Sequence, residues 1–288
     1  MEYCTAHTVE EAVNLLSEKG LDVRVLAGGT DLLGQLRMGR VRPQRIVDVK
    51  SIPELHSIEK DEGGFRVGAA VCGAEIAEHS ALCTEWPGVV EATELIGSTQ
   101  IQGRASLGGN LCNASPAADT VPALIAAGAT CRVIGPDGHR DVPVEEVASG
   151  PGKTSLAPAE IVAYFRLPRR APRSGDAYLR LIPRTEMDIA VVGAGVSLTV
   201  GEDGLCTACR VGLGAVAPTA LRVDEAANAL IGRVVDEAAL DDLAAAASSV
   251  ARPIDDKRGT REYRIRVAGV LARRAAKLAL SRAEAQPA

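Results

Sequence analysis

Val23-Arg24-Val25-Leu26-Ala27-Gly28-Gly29-Thr30-Asp31-Leu32-Leu33 runs from a β-branched stretch into two bare glycines, then into a helical stretch reaching about Met38. This is strand, glycine turn, helix. Glycines at such a junction accept φ > 0 and let a phosphate approach the main chain. The first amides of the following helix favour an anion at the same spot. Thr30 adds a hydroxyl donor, whereas Asp31 would repel a phosphate, so its carboxylate is expected to cap its own helix. A turn needed only for packing uses the same two glycines, and the segment alone does not decide between these uses.

Upstream, Thr8 and Glu11 form a capping box, Val9, Ala12, Leu15 and Leu16 a helical stripe, and Gly20 a stop. Downstream, residues 45–49 and 65–69 read as strands, and 74–80 and 88–96 as helices. Residues 97–115 are rich in Gly, Ser and Asn with little hydrophobic periodicity, and are expected to form a long ordered loop of functional use. A helix at 119–127 and a strand at 129–134 precede the turn Gly135-Pro136-Asp137-Gly138. After about residue 170 the pattern changes, with Pro168, Pro172 and Gly175 marking a linker. Residues 189–200 and 205–217 are two β-rich runs joined by Gly201-Glu202-Asp203-Gly204, a hairpin signature. Helices at 221–230, 236–251 and 260–282 follow. The reading is α+β: mixed α/β for about 170 residues, then a smaller β-then-α portion, with no internal repeat.

A chain of 288 residues holds two or three cores at about 100–200 residues each. With 47% hydrophobic and 24% charged residues it is neither disordered nor low-complexity. No apolar run approaches the roughly 20 residues that span a bilayer, and the first residues do not read as a secretory leader. The seven cysteines are scattered, which points to reduced thiols in a cytoplasmic setting. Aromatics at 2% argue against a carbohydrate groove or a base-stacking surface. The net charge of −5 hides a basic end: residues 252–282 hold ten Lys/Arg against three Asp/Glu. Without a nucleic-acid-binding motif this reads as a solvated helix face, or else as a surface for an acidic partner, and no nucleic acid is expected.

A second glycine segment, Ser106-Leu107-Gly108-Gly109-Asn110, continues through Asn113, Ser115 and Asp119. It is expected to supply another backbone cradle, several neutral donors and one carboxylate, which suits a pyrophosphate flanked by polyols. A self-contained loop is the plainer possibility. Other motifs fail. Gly193-Ala194-Gly195 lies inside an expected strand and lacks the third glycine of a dinucleotide fingerprint. Gly152-Lys153-Thr154 imitates the end of a phosphate loop, but Val147 stands where its first glycine belongs. Cys206 and Cys209 have metal-ligand spacing but no second pair, so a buried or edge thiol pair is expected; Cys112 reads as a packing residue. The four histidines suggest neither a metal site nor a triad, and no serine sits in a nucleophile elbow.

With both glycine segments in place, the chain resembles the FAD-binding medium subunits of molybdenum hydroxylases, a family that includes carbon monoxide dehydrogenase medium subunits and the flavin domain of xanthine dehydrogenase. The match runs through residues 25–33, Ser106–Asn110 with 114–119, Pro158–Val162 with Leu167-Pro168, Arg184 with 188–190, and Val211–Pro218. The resemblance implies a PCMH-type FAD-binding domain over 1–170, built of two α/β subdomains with a boundary near 55–60. It implies a C-terminal domain over 175–288 with a three-stranded antiparallel sheet and helices. It implies non-covalent FAD, with Val25, Leu26, Ala27, Gly28, Gly29, Thr30, Asp31 and Leu32 wrapping the pyrophosphate together with Ser106, Gly108, Gly109 and Asn110. Ser115 joins this set, and Asp119 is implied at the ribityl or flavin end, Val162 beside the cofactor, Arg180 near the flavin and Ile189 at the ring edge. Two departures stand out: Gln102-Gly103-Arg104-Ala105 before the second segment, and Ile96 where some relatives place an aromatic.

The activity so implied is that of an oxidoreductase: an FAD electron-transfer subunit with no catalytic residue or metal ligand of its own. Its implied partners are a large molybdenum-cofactor subunit and a small [2Fe-2S] subunit, in a dimer of heterotrimers. A stand-alone flavin oxidase of the vanillyl-alcohol-oxidase type is an alternative that the sparse aromatics disfavour; a nucleotide-binding assembly module is another. The substrate and the terminal acceptor are not legible in this chain.

Overall fold

The computed structural model describes residues 1–286, so the last two residues of the stretch 175–288 lie outside the described part. The first lobe comprises β1 (Glu2–Thr5), α1 (Val9–Leu16), β2 (Val23–Leu26), α2 (Leu32–Arg37) and β3 (Arg45–Asp48). Its strands form a parallel sheet in the order β1-β3-β2. The α1 cap forms as expected, with the Glu11 amide donating to Thr8 Oγ1 at 3.1 Å. The reciprocal bond falls one residue early, because the Glu11 carboxylate accepts from the His7 amide at 2.8 Å. Val9, Ala12 and Val13 on α1 are buried in one cluster with Val47, Ile52 and Leu55.

Next come β4 (Ile58–Asp61), β5 (Gly64–Gly68) and six short helices: α3 (Gly73–Glu78), α4 (Ser80–Glu85), α5 (Pro87–Glu94), α6 (Thr99–Gln102), α7 (Leu107–Cys112) and α8 (Thr120–Ala126). They lead into β6 (Thr130–Gly135), β7 (Gly138–Pro143), the two-stranded pair β8 (Ala148–Gly150) and β9 (Lys153–Thr154), and β10 (Ile161–Pro168). An antiparallel sheet in the order β4-β5-β10-β6-β7 results, and Phe65, Phe165 and Val133 on it share a core with Val89, Leu111 and Leu124 on the helices. Residues 97–115 are therefore not the loop that their composition suggests. Ser106, extended at φ −126°, caps α7 by accepting from the Gly109 amide at 3.2 Å, and Leu107 and Leu111 bury the helix one turn apart. Glycines at two of its six positions erase the helical pattern from the sequence, since glycine is a poor helix former.

The remainder holds β11 (Ser174–Leu181), β12 (Val192–Val200), β13 (Cys206–Gly214), β14 (Leu221–Arg222), α9 (Asp224–Asn228), α10 (Glu237–Val250) and α11 (Arg261–Glu284). Three long antiparallel strands carry a two-residue fourth at the edge, in the order β11-β12-β13-β14. Residues 221–230 are thus a strand followed by a helix and not one helix, because the Val223 amide bonds to Val211 O at 2.9 Å before Asp224 begins α9. The β12–β13 hairpin turns through residues 201–204 as read from sequence. Ala268, Ala272, Ala275, Ala276 and Ala279 on α11 are all fully buried, which lets this long helix lie close on the sheet. Cys206 and Cys209 are unpaired, buried thiols on β13. Among the described residues no helix is long and apolar enough to cross a membrane, and no cluster of metal-ligating side chains occurs.

Candidate cofactor cleft

A cavity of 370 Å³ opens between the first lobe and the antiparallel sheet. Its walls are the turn after β2, the start of α7 and the start of β10. Of the residues expected to hold a cofactor, it brings together Val25, Ala27, Gly28, Gly29, Thr30, Asp31 and Leu32 from the first lobe. Ser106, Gly108, Gly109, Asn110 and Val162 face them from the second.

The glycines do three different jobs. Gly29 has φ +77°, a left-handed conformation that turns the chain from β2 into α2. Gly28 and Gly108 are bare because the fold needs them so. A Cβ on Gly28 would sit 1.7 Å from Arg104 O, and one on Gly108 would sit 2.6 Å from Ala69 O. The Gly28 contact seats the first glycine turn directly on the chain leading into the second segment. At Gly109 a Cβ would meet only its own capping hydroxyl, Ser106 Oγ, at 3.3 Å. No other described residue requires that position to be bare, yet it lines the cleft.

The two segments also differ in what they offer a ligand. The amides of Gly28 through Leu32 donate to no acceptor among the described residues, which leaves a free run of N–H groups in the first lobe. The expected second amide cradle is not there. The Gly108 amide is taken by Ala69 O at 3.0 Å, the Gly109 amide by Ser106 Oγ and the Asn110 amide by Ser106 O at 2.9 Å. What the second segment presents instead is the Gly109 surface and side chains, Asn110 and Asn113 among them. Asp31 does not cap α2 either. Its backbone is already helical (φ −93°, ψ −49°), so its carboxylate does not bond the next amides, and desolvation by the surrounding wall raises its pKa.

Five expected residues lie off the wall. Leu26 is buried at the end of β2, and Ser115 Oγ accepts from the Ala117 amide at 3.2 Å. Ile189 is exposed on the loop between β11 and β12. Asp119 and Arg180 pair with each other at 2.9 Å, both nearly buried, and tie the start of α8 to β11. Burial pushes the Asp119 carboxyl up to about 6 even though the Arg180 guanidinium opposes the shift. Asn113, read from sequence as one of the second segment's neutral donors, also lines the wall, whereas sequence reasoning missed Arg24, Gln35, Leu55, Ala70, Gly152, Leu156 and Glu160 there. These come from separated stretches with ordinary composition, and only the topology assembles them. Cys112 also lines the cleft, and desolvation pushes its thiol pKa up to about 12.

A two-lobed protein with a glycine-lined cleft, free amides on one side and donor side chains on the other, is built to clasp a dinucleotide. Comparison identifies the family. Residues 1–170 match the FAD binding domain in molybdopterin dehydrogenase, and residues 177–279 match the CO dehydrogenase flavoprotein C-terminal domain. The chain belongs to this family of FAD-binding oxidoreductase subunits. It is 32% identical to the carbon monoxide dehydrogenase medium chain of Afipia carboxidovorans over 283 residues, covering 98% of each. It is 29% identical to the xanthine dehydrogenase FAD-binding subunit of Escherichia coli O157:H7, covering 91% of this chain and 90% of that one. The structure of reconstituted CO dehydrogenase from Oligotropha carboxidovorans superposes with a TM-score of 0.94 at 32% identity, again covering 98% of both chains.

Proposed function

We propose that this chain is the electron-transfer subunit of a heteromeric molybdenum hydroxylase, holding FAD non-covalently between its two N-terminal lobes. The observation that carries the reading is the bare, open Gly109 facing the free amides of residues 28–32 across the cleft. The first-lobe amides and the Thr30 hydroxyl take the diphosphate, and Gly109 leaves room for it to approach. Val25 and Val162 supply apolar wall. Asp119 and Arg180 act from behind the cleft: their ion pair holds the N-terminal end of α8, and through it the second lobe, against the C-terminal sheet.

FAD bound there would supply the redox chemistry that links a small [2Fe-2S] subunit to an external acceptor. The chain's own part is to hold, orient and shield that group. A cytoplasmic dimer of heterotrimers with a large molybdenum subunit completes the proposal. Domains at 1–170 and from 175 onward fit the change of sheet after β10, and an internal boundary near 55–60 fits the change of sheet between β3 and β4. Relatives named for carbon monoxide and for xanthine resemble this chain to a similar degree, as expected if substrate is chosen on the large subunit.

Co-expression with a large and a small subunit from the same source tests the proposal. The three chains should co-purify, and oxidation of a substrate by the large one should bleach the flavin absorption of the complex. A yellow chain that purifies alone and is reduced directly by a small substrate contradicts it.

A further inference from the structure

Asn110 stands in the cleft wall, and a residue outside the wall decides its orientation. Thr120, the first residue of α8, donates to Asn110 Oδ1 twice, from its hydroxyl at 2.7 Å and from its backbone N–H at 3.2 Å. A backbone N–H can only donate, so the atom facing it is the side-chain oxygen and not the amide nitrogen. Two bonds fill the two lone pairs of Oδ1, leaving Nδ2 with its two hydrogens as the part of the side chain available to a ligand. No acceptor among the described residues takes those hydrogens, and Nδ2 is not sealed inside the protein. Asn110 therefore faces the cleft as a donor.

We infer that Thr120 is a positioning residue for the dinucleotide: it holds Asn110 so that the amide NH2 group donates to an acceptor oxygen of the bound cofactor. The inference rests on the reading of the cleft as an FAD site. It matters because the Gly108, Gly109 and Asn110 backbone amides are already engaged, so a side chain must do the second lobe's donating. Thr120 is itself well placed for this. It is fully buried, its neighbour Asp119 is paired with Arg180 on β11, and Pro122 two residues on is seated against Gly195 and Gly212 of the C-terminal sheet. A donor in the cleft is thus fixed by the part of the molecule behind it.

A double-mutant cycle on the full chain, stripped of flavin and titrated with FAD, tests this. Thr120→Val keeps the shape but removes the hydroxyl, and should weaken FAD binding by about tenfold, while Thr120→Ser should stay within about twofold of wild type. Asn110→Asp should bind more weakly than Asn110→Ala, because it sets an acceptor carboxylate against the cofactor oxygen that the amide NH2 group would serve. In an Asn110→Ala background, Thr120→Val should cost less than about twofold, since its effect runs through Asn110. Should the valine variant not fold, Thr120→Ala runs the same cycle. Equal losses in both backgrounds, or wild-type affinity in Asn110→Ala or Asn110→Asp, overturn the inference while leaving the FAD site intact. A wild-type chain that takes up no FAD overturns the FAD site and the inference together.

Discussion

Gly109 at the cleft and Gly212 at the seam between α8 and the C-terminal sheet look alike in sequence, each one of a pair of nearby glycines. They are bare for opposite reasons. A Cβ on Gly212 would lie 2.2 Å from Pro122 O, whereas one on Gly109 would meet nothing but a hydroxyl at 3.3 Å. The seam uses glycine to bring backbone onto backbone; the cleft uses it to leave space. The same contrast holds for polar groups. The seam buries its ion pairs, Asp119 with Arg180 and Asp176 with Arg170, while the first-lobe wall of the cleft keeps the amides of residues 28–32 unpaired among the described residues. A site for a guest is recognised by what the protein leaves unsatisfied.

The largest effect is expected at the seam, from Arg180→Ala. Asp119 would be left buried without its counter-ion, and breaking a buried pair on one side costs about 3–5 kcal/mol. Denaturant unfolding of the flavin-free chain measures this directly; a loss under about 1 kcal/mol would mean that Asp119 finds solvent and the seam is not sealed. Gly212→Ala should follow closely, at about 3 kcal/mol, because the atom in the way is a backbone carbonyl that cannot rotate aside. An alanine variant as stable as wild type removes the distinction between the two glycines.

The third expectation concerns pH. Burial pushes the Asp176 carboxyl up to about 6, although Arg170 at 2.9 Å and the Gly88 amide at 2.9 Å favour its charged form. A carboxyl whose folded pKa lies above its unfolded value binds more protons in the folded state between about pH 4 and 6. Its contribution is therefore fully present below pH 4 and lost as the pH rises through 6, on the order of 3 kcal/mol. Asp176→Asn should lack that dependence, so the wild-type advantage over the variant should shrink from pH 4 to pH 7. An advantage that grows instead means that the pair with Arg170 outweighs burial, and the seam is less dry than the structure implies.

Much of this was legible beforehand. Val23 to Asp31 announced its strand, turn and helix because the β-branched run, the glycines and the apolar spacing agree. The β12–β13 hairpin was legible for the same reason, with turn residues between two β-rich runs. The second lobe was harder to read. Glycines within α7 hid a helix that only the Leu107 and Leu111 spacing betrays, and Val223 ends a short strand where alanines nearby suggest helix. At the site, composition showed which residues are bare but not which amides stay free. That depends on Ala69 and Ser106, whose atoms occupy the second segment's N–H groups. Nor does spacing reveal that Asp119 and Arg180, 61 residues apart, neutralise each other behind the wall.

FAD titration of the flavin-free chain, wild type beside Gly109→Val, tests the central claim most directly. The wild type should take up one FAD per chain. Gly109→Val should lose at least about a hundredfold in affinity, because its side chain fills the space meant for the diphosphate. Its unfolding midpoint without flavin should stay near that of wild type, since among the described residues only Ser106 Oγ stands near the new Cβ. A valine variant that binds FAD as tightly as the wild type, or one that loses FAD only because it unfolds, contradicts the account.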